Sequence, residues 1–154
     1  MKTLLSFFAV AIISLSAYAQ TDNDYLEIAR EVLKTEKKAV IAEVMQLTDE
    51  ESKPFWNLYN EYQGKLHLVQ NKRIDLIQDY AENFENLTDE KADQLWQGSM
   101  AYTQEILKLK KQYYKKFKKI LPAGKAARFL QAENKIEVMI NANLALEIPL
   151  IEIK

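Results

Sequence analysis

The side chains that most often bind metals are sparse in this sequence. It has no cysteine and one histidine, His67, and its methionines after the first residue are Met45, Met100 and Met139. A transition-metal site needs clustered imidazole or sulfur ligands, whereas these four residues lie far apart along the chain. The acidic run at 49–51 is better explained as helix-start charges than as a calcium loop, which would require a glycine-bearing ligand pattern. The sequence therefore predicts no metal site and no cofactor.

Sequence signatures of catalysis are also absent. There is no G-x-S-x-G, P-loop, dinucleotide glycine motif or H-E-x-x-H. A glycosidase needs only two carboxylates, but it needs them in a cleft, and a thin helical bundle supplies little of one. With 21 basic and 22 acidic side chains, the formal net charge is −1, so no overall field attracts nucleic acid. We predict a protein that performs no reaction and binds no nucleic acid.

One segment mixes lysines with aromatic residues. It supplies seven candidate residues for binding a client or partner protein, which are Lys108, Lys111, Tyr113, Tyr114, Lys115, Phe117 and Lys118. Lysines near a helix C-terminus also stabilise the helix dipole, which gives them a purely structural role as the alternative. Adjacent residues point about 100° apart on a helix, so Tyr113 and Tyr114 cannot both occupy one narrow buried seam. We therefore expect an exposed surface that is both apolar and cationic.

The N-terminus has the pattern of a secretory signal peptide. Met1 and Lys2 precede an apolar run at 4–13, and Ala17-Tyr18-Ala19 places small residues before Gln20. The apolar run is about half of the roughly 20 residues that a membrane-spanning helix needs. We predict a signal peptide at 1–19, cleavage near Ala19/Gln20, periplasmic localisation, no stable membrane insertion, and a single domain at 20–154.

Hydrophobic periodicity in that domain indicates helices throughout. Apolar residues recur every three or four positions in four segments, at 22–46, 49–84, 89–120 and 122–146. The second and third segments keep this spacing long enough to resemble coiled-coil seams. The predicted fold is an elongated all-α bundle of about four helices with a long-helix hairpin, followed by an apolar tail at 147–154. We expect that tail to pack on its own domain, with a partner protein as the alternative.

An internal repeat marks two of the helix starts. LTDEESKPFW begins at residue 47 and LTDEKADQLW begins 40 residues later, at residue 87. In each copy leucine precedes a capping threonine, and tryptophan follows eight residues after the threonine; these motif residues are Leu47, Thr48, Trp56, Leu87, Thr88 and Trp96. Glu51 can complete a capping box with Thr48, whereas Lys91 cannot do so with Thr88.

With this repeat, the exported chain resembles the Spy/CpxP family of periplasmic proteins, which is named for a twice-occurring Leu-Thr-x-x-Gln motif. The likeness covers residues 47–130 and departs where Glu51 and Lys91 replace the motif glutamine, as in a divergent member. The resemblance implies an all-helical homodimer shaped as a cradle. It also implies one of three functions in envelope stress, which are an ATP-independent chaperone, a regulatory adaptor on a sensor kinase, or a metal sensor.

The lysine and aromatic segment favours the first function. A chaperone without nucleotide must release its client through weak affinity, and a mixed charged and apolar surface binds weakly. We therefore predict a homodimeric periplasmic chaperone-like protein that binds non-native proteins. The alternatives are an adaptor that docks on the exported domain of a membrane stress sensor, and a periplasmic metal sensor or resistance protein.

Overall fold

The structure, a computed structural model, describes the backbone of residues 21–151 and the side chains of residues 32–151. Within the described backbone there are no strands, and the helices are α1 (Thr21–Met45), α2 (Asp49–Asn83), α3 (Asp89–Phe117) and α4 (Ala123–Glu147), with a short 3-10 turn at Phe84–Asn86. The all-α fold and the four predicted helices are confirmed, with every helix end within three residues of its expected place. The predicted signal peptide at 1–19 lies outside the described residues.

The chain divides into two units, residues 1–43 and residues 44–154. The described part of the first unit is most of α1. The second unit contains the last residues of α1 and all of α2, α3 and α4, and α3 packs against both α2 and α4. The candidate binding residues all belong to this second unit.

The two repeat copies cap α2 and α3 as expected. The Thr48 hydroxyl accepts a hydrogen bond from the Glu51 backbone N–H at 3.3 Å, and the Glu51 carboxylate accepts one from the Thr48 backbone N–H at 3.0 Å. Thr88 accepts from the Lys91 backbone N–H at 3.2 Å. The capping box is therefore confirmed in the first copy. In the second copy, the Lys91 side chain instead bonds Asp79 of α2 at 2.7 Å.

Polar pairs between helices show how the helices of the second unit run relative to one another. Lys72 pairs with Glu105 at 2.7 Å, and Lys116 pairs with Glu61 at 2.7 Å. Residues further along α2 therefore face residues earlier in α3, as in an antiparallel hairpin. The Gln63 amide on α2 donates to Glu133 of α4 at 3.1 Å, and Tyr80 donates to the Pro149 carbonyl at 3.0 Å, so α4 runs parallel to α2.

An aromatic cluster fills the space between these three helices. Its members are almost fully buried and comprise Phe55, Tyr59, Tyr62, Tyr113, Phe117 and Phe129. The ring of Phe129 lies 4.5 Å from that of Phe117 and 5.4 Å from that of Phe55, measured between centroids. Buried aromatic rings contribute large apolar areas and favourable edge contacts. At the end of the hairpin furthest from the 3-10 turn, this cluster confirms the predicted three- and four-residue spacing of buried residues in α2 and α3.

One carboxylate lies inside the same cluster. Glu133 is 3% exposed and accepts the Gln63 hydrogen bond. Burial, reinforced by the Glu133 charge, raises the pKa of the Tyr59 and Tyr62 hydroxyls above the usual tyrosine range. Both tyrosines therefore stay neutral and serve as packing groups.

Candidate protein-binding surfaces

The lysine and aromatic segment forms the C-terminal third of α3, and the structure divides its members between core and surface. Lys108, Lys111, Lys115 and Lys118 are exposed, and Tyr114 is half-buried. Tyr113 and Phe117 are 1% and 0% exposed. The expectation that Tyr113 and Phe117 lie on a client-binding surface is therefore wrong. They continue the buried line of Ile106 and Leu109, because every third or fourth residue returns to the same side of a helix.

A hydrogen-bonded group holds Tyr113 in place. Its hydroxyl donates to the Glu61 carboxylate at 2.9 Å, and Lys116 bonds the same oxygen at 2.7 Å. Lys116, followed by the Tyr113 hydroxyl, lowers the pKa of Glu61 below its usual range. Burial, followed by the bond to Glu61, raises the pKa of Tyr113. Lys116 therefore forms an ion pair that joins α3 to α2.

The neighbouring tyrosine has a different environment. The Lys118 ammonium lies 4.9 Å from the centroid of the Tyr114 ring, within the range of a cation–π contact. This pair faces outward, so the expectation of one surface tyrosine in a mixed apolar and cationic setting fits Tyr114. Lys118 and Tyr114 together present both kinds of contact on one turn of helix.

Three large apolar side chains continue this outward line towards the start of α3. Trp96 is 64% exposed, Met100 is 40% exposed and Leu107 is 52% exposed. With Tyr114 they are spaced by four and then seven residues, which places all four on one side of the helix. We name these four residues the α3 stripe. Trp96 was predicted only as a motif residue, and the stripe was not predicted, although its spacing is visible in the sequence.

The two motif tryptophans consequently differ. Trp56 is half-buried and packs edge-on against Phe55 at 5.0 Å and Tyr59 at 5.2 Å. Trp96 projects from the other long helix and is mostly exposed. The two leucines before the caps, Leu47 and Leu87, are both half-buried. Only the capping half of the motif has the same environment in both copies.

A second apolar surface lies on α4. Val138, Met139 and Leu146 are 64%, 48% and 84% exposed and face away from the buried side of the helix, which carries Phe129 and Glu133. We name these three residues the α4 outer face. The side of α4 next to α3 carries Glu137, which forms an ion pair with Lys110. The apolar residues of α4 after Ile136 are distributed too evenly around the helix to form a single buried stripe.

The apolar tail packs on its own domain only in part. Tyr80 bonds the Pro149 carbonyl and Ile148 is half-buried. Leu150 is 90% exposed and Ile151 is 51% exposed. The tail therefore extends the apolar character of the α4 outer face, while residues 152–154 lie outside the described chain.

The described residues offer little for a metal. His67 is exposed on α2, Met45 is buried, and Met100 and Met139 lie on different helices. Among residues 32–151, no three histidine, cysteine, aspartate or glutamate side chains form a group that could hold a metal ion. None of the helices within the described backbone combines the length and apolar composition required to cross a bilayer.

Comparison with known proteins adds no relative. No family model matches the chain, and neither does any curated protein or any solved structure. The class of protein that the structure defines is therefore an all-α helical bundle with two exposed apolar surfaces.

Proposed function

We propose that this protein is exported to the periplasm and acts there as an ATP-independent, chaperone-like binder of non-native proteins during envelope stress. The observation that carries the proposal is the α4 outer face, where three large apolar side chains are about half exposed or more on a helix whose other side is in the core. Several large apolar side chains exposed on one element of a protein are typical of a protein-binding site.

The exposed lysines of α3 add charge to the proposal. Lys108 and Lys115 are exposed and take part in none of the ion pairs described above. An acidic segment of an unfolded client is attracted over several ångströms by such charges, and the apolar side chains then hold it at short range. Because the apolar contacts are few and separated, each client segment binds weakly and can dissociate to fold.

Export is supported by residues 1–19 of the sequence, and its test is the mass of the protein recovered from periplasm. Cleavage before Gln20 gives a chain that begins at that residue. A recovered chain that still carries residues 1–19 would contradict this part of the proposal.

The central experiment is an aggregation assay with two unrelated clients, one acidic and one basic. We expect the wild-type protein to suppress light scattering of both clients at a few-fold molar excess, without ATP. The triple variant Val138→Ser, Met139→Ser, Leu146→Ser should lose most of this protection, because it removes the apolar contacts. Leu68→Ser is the matched control, since Leu68 is 59% exposed on α2, outside either apolar surface.

The lysines are tested separately. Lys108→Gln with Lys115→Gln should reduce protection of the acidic client and leave that of the basic client unchanged, and added salt should reproduce this loss. If the wild-type protein protects neither client at tenfold excess, the chaperone proposal is wrong, and a regulatory adaptor becomes the better hypothesis. Equal protection by the wild type and the α4 triple variant would show that the α4 outer face is not the binding surface.

A further inference from the structure

Positive charge is concentrated in one stretch of the chain. Residues 106–132 include nine basic residues and no acidic residue, although the formal net charge of the whole chain is −1. Three of these lysines form ion pairs with glutamates of α2 and α4, and Arg128 donates to the Val44 carbonyl at 2.7 Å. The other five are exposed and form none of the ion pairs found among the described side chains; they are Lys108, Lys111, Lys115, Lys118 and Lys119.

These five lysines lie on the side of α3 that faces away from the core. At 100° per residue, all five fall within about 55° of the direction opposite the buried line of α3. The backbone N–H of Lys118 still bonds the Tyr114 carbonyl at 3.0 Å, so the helical spacing continues past the last residue of α3. In the stretch 104–119 this sector holds one further residue, Gln104, which is also exposed. We name the five lysines and Gln104 the basic face.

Stabilisation of the helix end does not explain the basic face. The favourable effect of a positive charge on the helix dipole falls off within the last turn. Lys108 and Lys111 lie nine and six residues before Phe117, the last residue of α3, which is more than one turn in both cases. From Lys108 to Lys118 the face is about 15 Å long. A straight row of exposed charges of this length fits an extended anionic surface.

The structure disfavours a protein or a nucleic acid as the partner of this face. Protein interfaces depend on aromatic or apolar anchors, and the nearest members of the α3 stripe, Leu107 and Tyr114, lie about 65° and 85° from the centre of the face. Single-stranded nucleic acid needs exposed rings on which bases stack. Tyr113 and Phe117 are buried, and the Lys118 ammonium lies 4.9 Å from the centroid of the Tyr114 ring.

We propose that the basic face docks the protein on the surface of a bilayer that contains anionic phospholipids, with α3 parallel to the surface and no helix in the hydrocarbon. Clusters of four to eight basic residues on a helix are typical of such docking. Lysine is a point charge on a flexible stem, so it can follow mobile headgroup phosphates that offer no fixed geometry. Each lysine near an anionic surface strengthens binding about fivefold.

Docking of this kind is additional to the proposed client binding. Lys108 and Lys115 are shared between the two proposals, whereas Lys111, Lys118 and Lys119 belong to docking alone. The α4 outer face is on another helix. Vesicle binding is measured without a client, and client protection is measured without vesicles. Failure of one proposal is therefore distinguishable from failure of the other.

The first test is cosedimentation of the protein with vesicles of phosphatidylcholine that contain about one-third phosphatidylglycerol. We expect binding to these vesicles, no binding to vesicles of phosphatidylcholine alone, and release in high salt, because salt screens exposed charges. A protein that does not bind the anionic vesicles at low salt, or that binds neutral vesicles equally well, would overturn the proposal. Tighter binding to duplex DNA than to the anionic vesicles, at equal phosphate concentration, would also overturn it.

A pair of charge variants tests the position of the contact. Lys111→Gln, Lys118→Gln and Lys119→Gln together should weaken binding to anionic vesicles about a hundredfold, with helicity unchanged by circular dichroism. The matched control removes the same charge from exposed lysines of α2 and α4; its substitutions are Lys53→Gln, Lys65→Gln and Lys135→Gln. The control should bind within about threefold of the wild type. Equal losses for the two triple variants would show that net charge, and not the basic face, is responsible.

Spin labels test which side of the protein meets the headgroups. The chain has no cysteine, so Gln104→Cys and Asn57→Cys each provide one labelling position, and both residues are exposed. Gln104 belongs to the basic face, whereas Asn57 lies on the side of α2 opposite its buried residues. With a nickel-chelating lipid in the anionic vesicles, relaxation should be enhanced at position 104 and not at position 57. Equal enhancement at the two positions, or more at position 57, would refute docking through the basic face.

Discussion

Substitution of Phe117 tests whether this residue belongs to the core or to a binding surface. Its lysine-flanked position in the sequence favours a client contact, whereas the structure places it in the core. Its side chain is fully buried, with ring centroids of Phe129 and Phe55 at 4.5 and 5.5 Å. We expect Phe117→Ala to leave a cavity, since neither neighbouring ring can move into the space without losing its own contacts. Phenylalanine to alanine changes at such sites cost about 3–5 kcal/mol.

A loss of that size is a large part of the total stability. A domain of this length is stable by about 5–15 kcal/mol, and urea denaturation has a slope of about 1–3 kcal/mol per molar for small proteins. The urea midpoint of Phe117→Ala should therefore fall by about 2 M. Leu68→Ala removes an exposed apolar side chain and should change the free energy of unfolding by no more than about 0.5 kcal/mol.

The outcome discriminates between the two roles. If Phe117→Ala lost less than about 1 kcal/mol and instead protected clients less well, Phe117 would be a binding residue and the described core would be incorrect at this point. We expect the reverse, with lower stability and with client protection unchanged at temperatures where the variant remains folded.

Two further predictions concern glycines and acid. Gly64→Ala should raise the free energy of unfolding by about 0.5–1 kcal/mol, because nothing lies within 4 Å of the added Cβ. For Gly98→Ala the added Cβ would lie 2.6 Å from Leu76 Cδ2, so the gain should shrink or vanish. Equal gains for the two variants in urea denaturation would contradict the close packing at Gly98. The Lys125 ammonium, followed by the backbone N–H of the cap, lowers the pKa of Glu51, so its contribution to stability is complete above the unfolded glutamate pKa of about 4.3 and is lost as the pH falls through the lower folded value. The thermal midpoint should therefore decrease as the pH is lowered from about 5 to about 3, and it should decrease less steeply for Glu51→Gln than for the wild type. Equal slopes for the wild type and Glu51→Gln would refute this role of Glu51.

The helices were predictable because their signals are local. Thr48 and Thr88 each precede acidic residues that favour a helix start, and the buried positions of α2 and α3 recur at intervals of three and four. Each of these features depends on residues within one or two turns. The positions of the helix ends therefore needed no knowledge of which helices pack together.

The candidate surfaces were less predictable because exposure depends on neighbouring helices. Tyr113 belongs equally to the apolar ladder of α3 and to its lysine-rich segment, and the sequence does not decide which role it has. The contact with α2 gives Tyr113 its buried role, because the Tyr113 hydroxyl donates a hydrogen bond to Glu61 at 2.9 Å. Likewise, Met139 has the spacing of a core residue but is 48% exposed, because α2 and α3 pack on the other side of α4.

Different sides of α3 lie in different environments. Phe117 and Tyr113 are buried in the core, whereas Tyr114 is half-buried and Lys108 and Lys115 are exposed. Because residues on one side of a helix are three or four positions apart, adjacent residues such as Tyr113 and Tyr114 have different surroundings. Substitutions at these adjacent positions should therefore have unlike effects, with Tyr113→Ala lowering the free energy of unfolding by more than Tyr114→Ala does in urea denaturation. Equal losses for the two variants would contradict this division of α3 into a core side and a surface side.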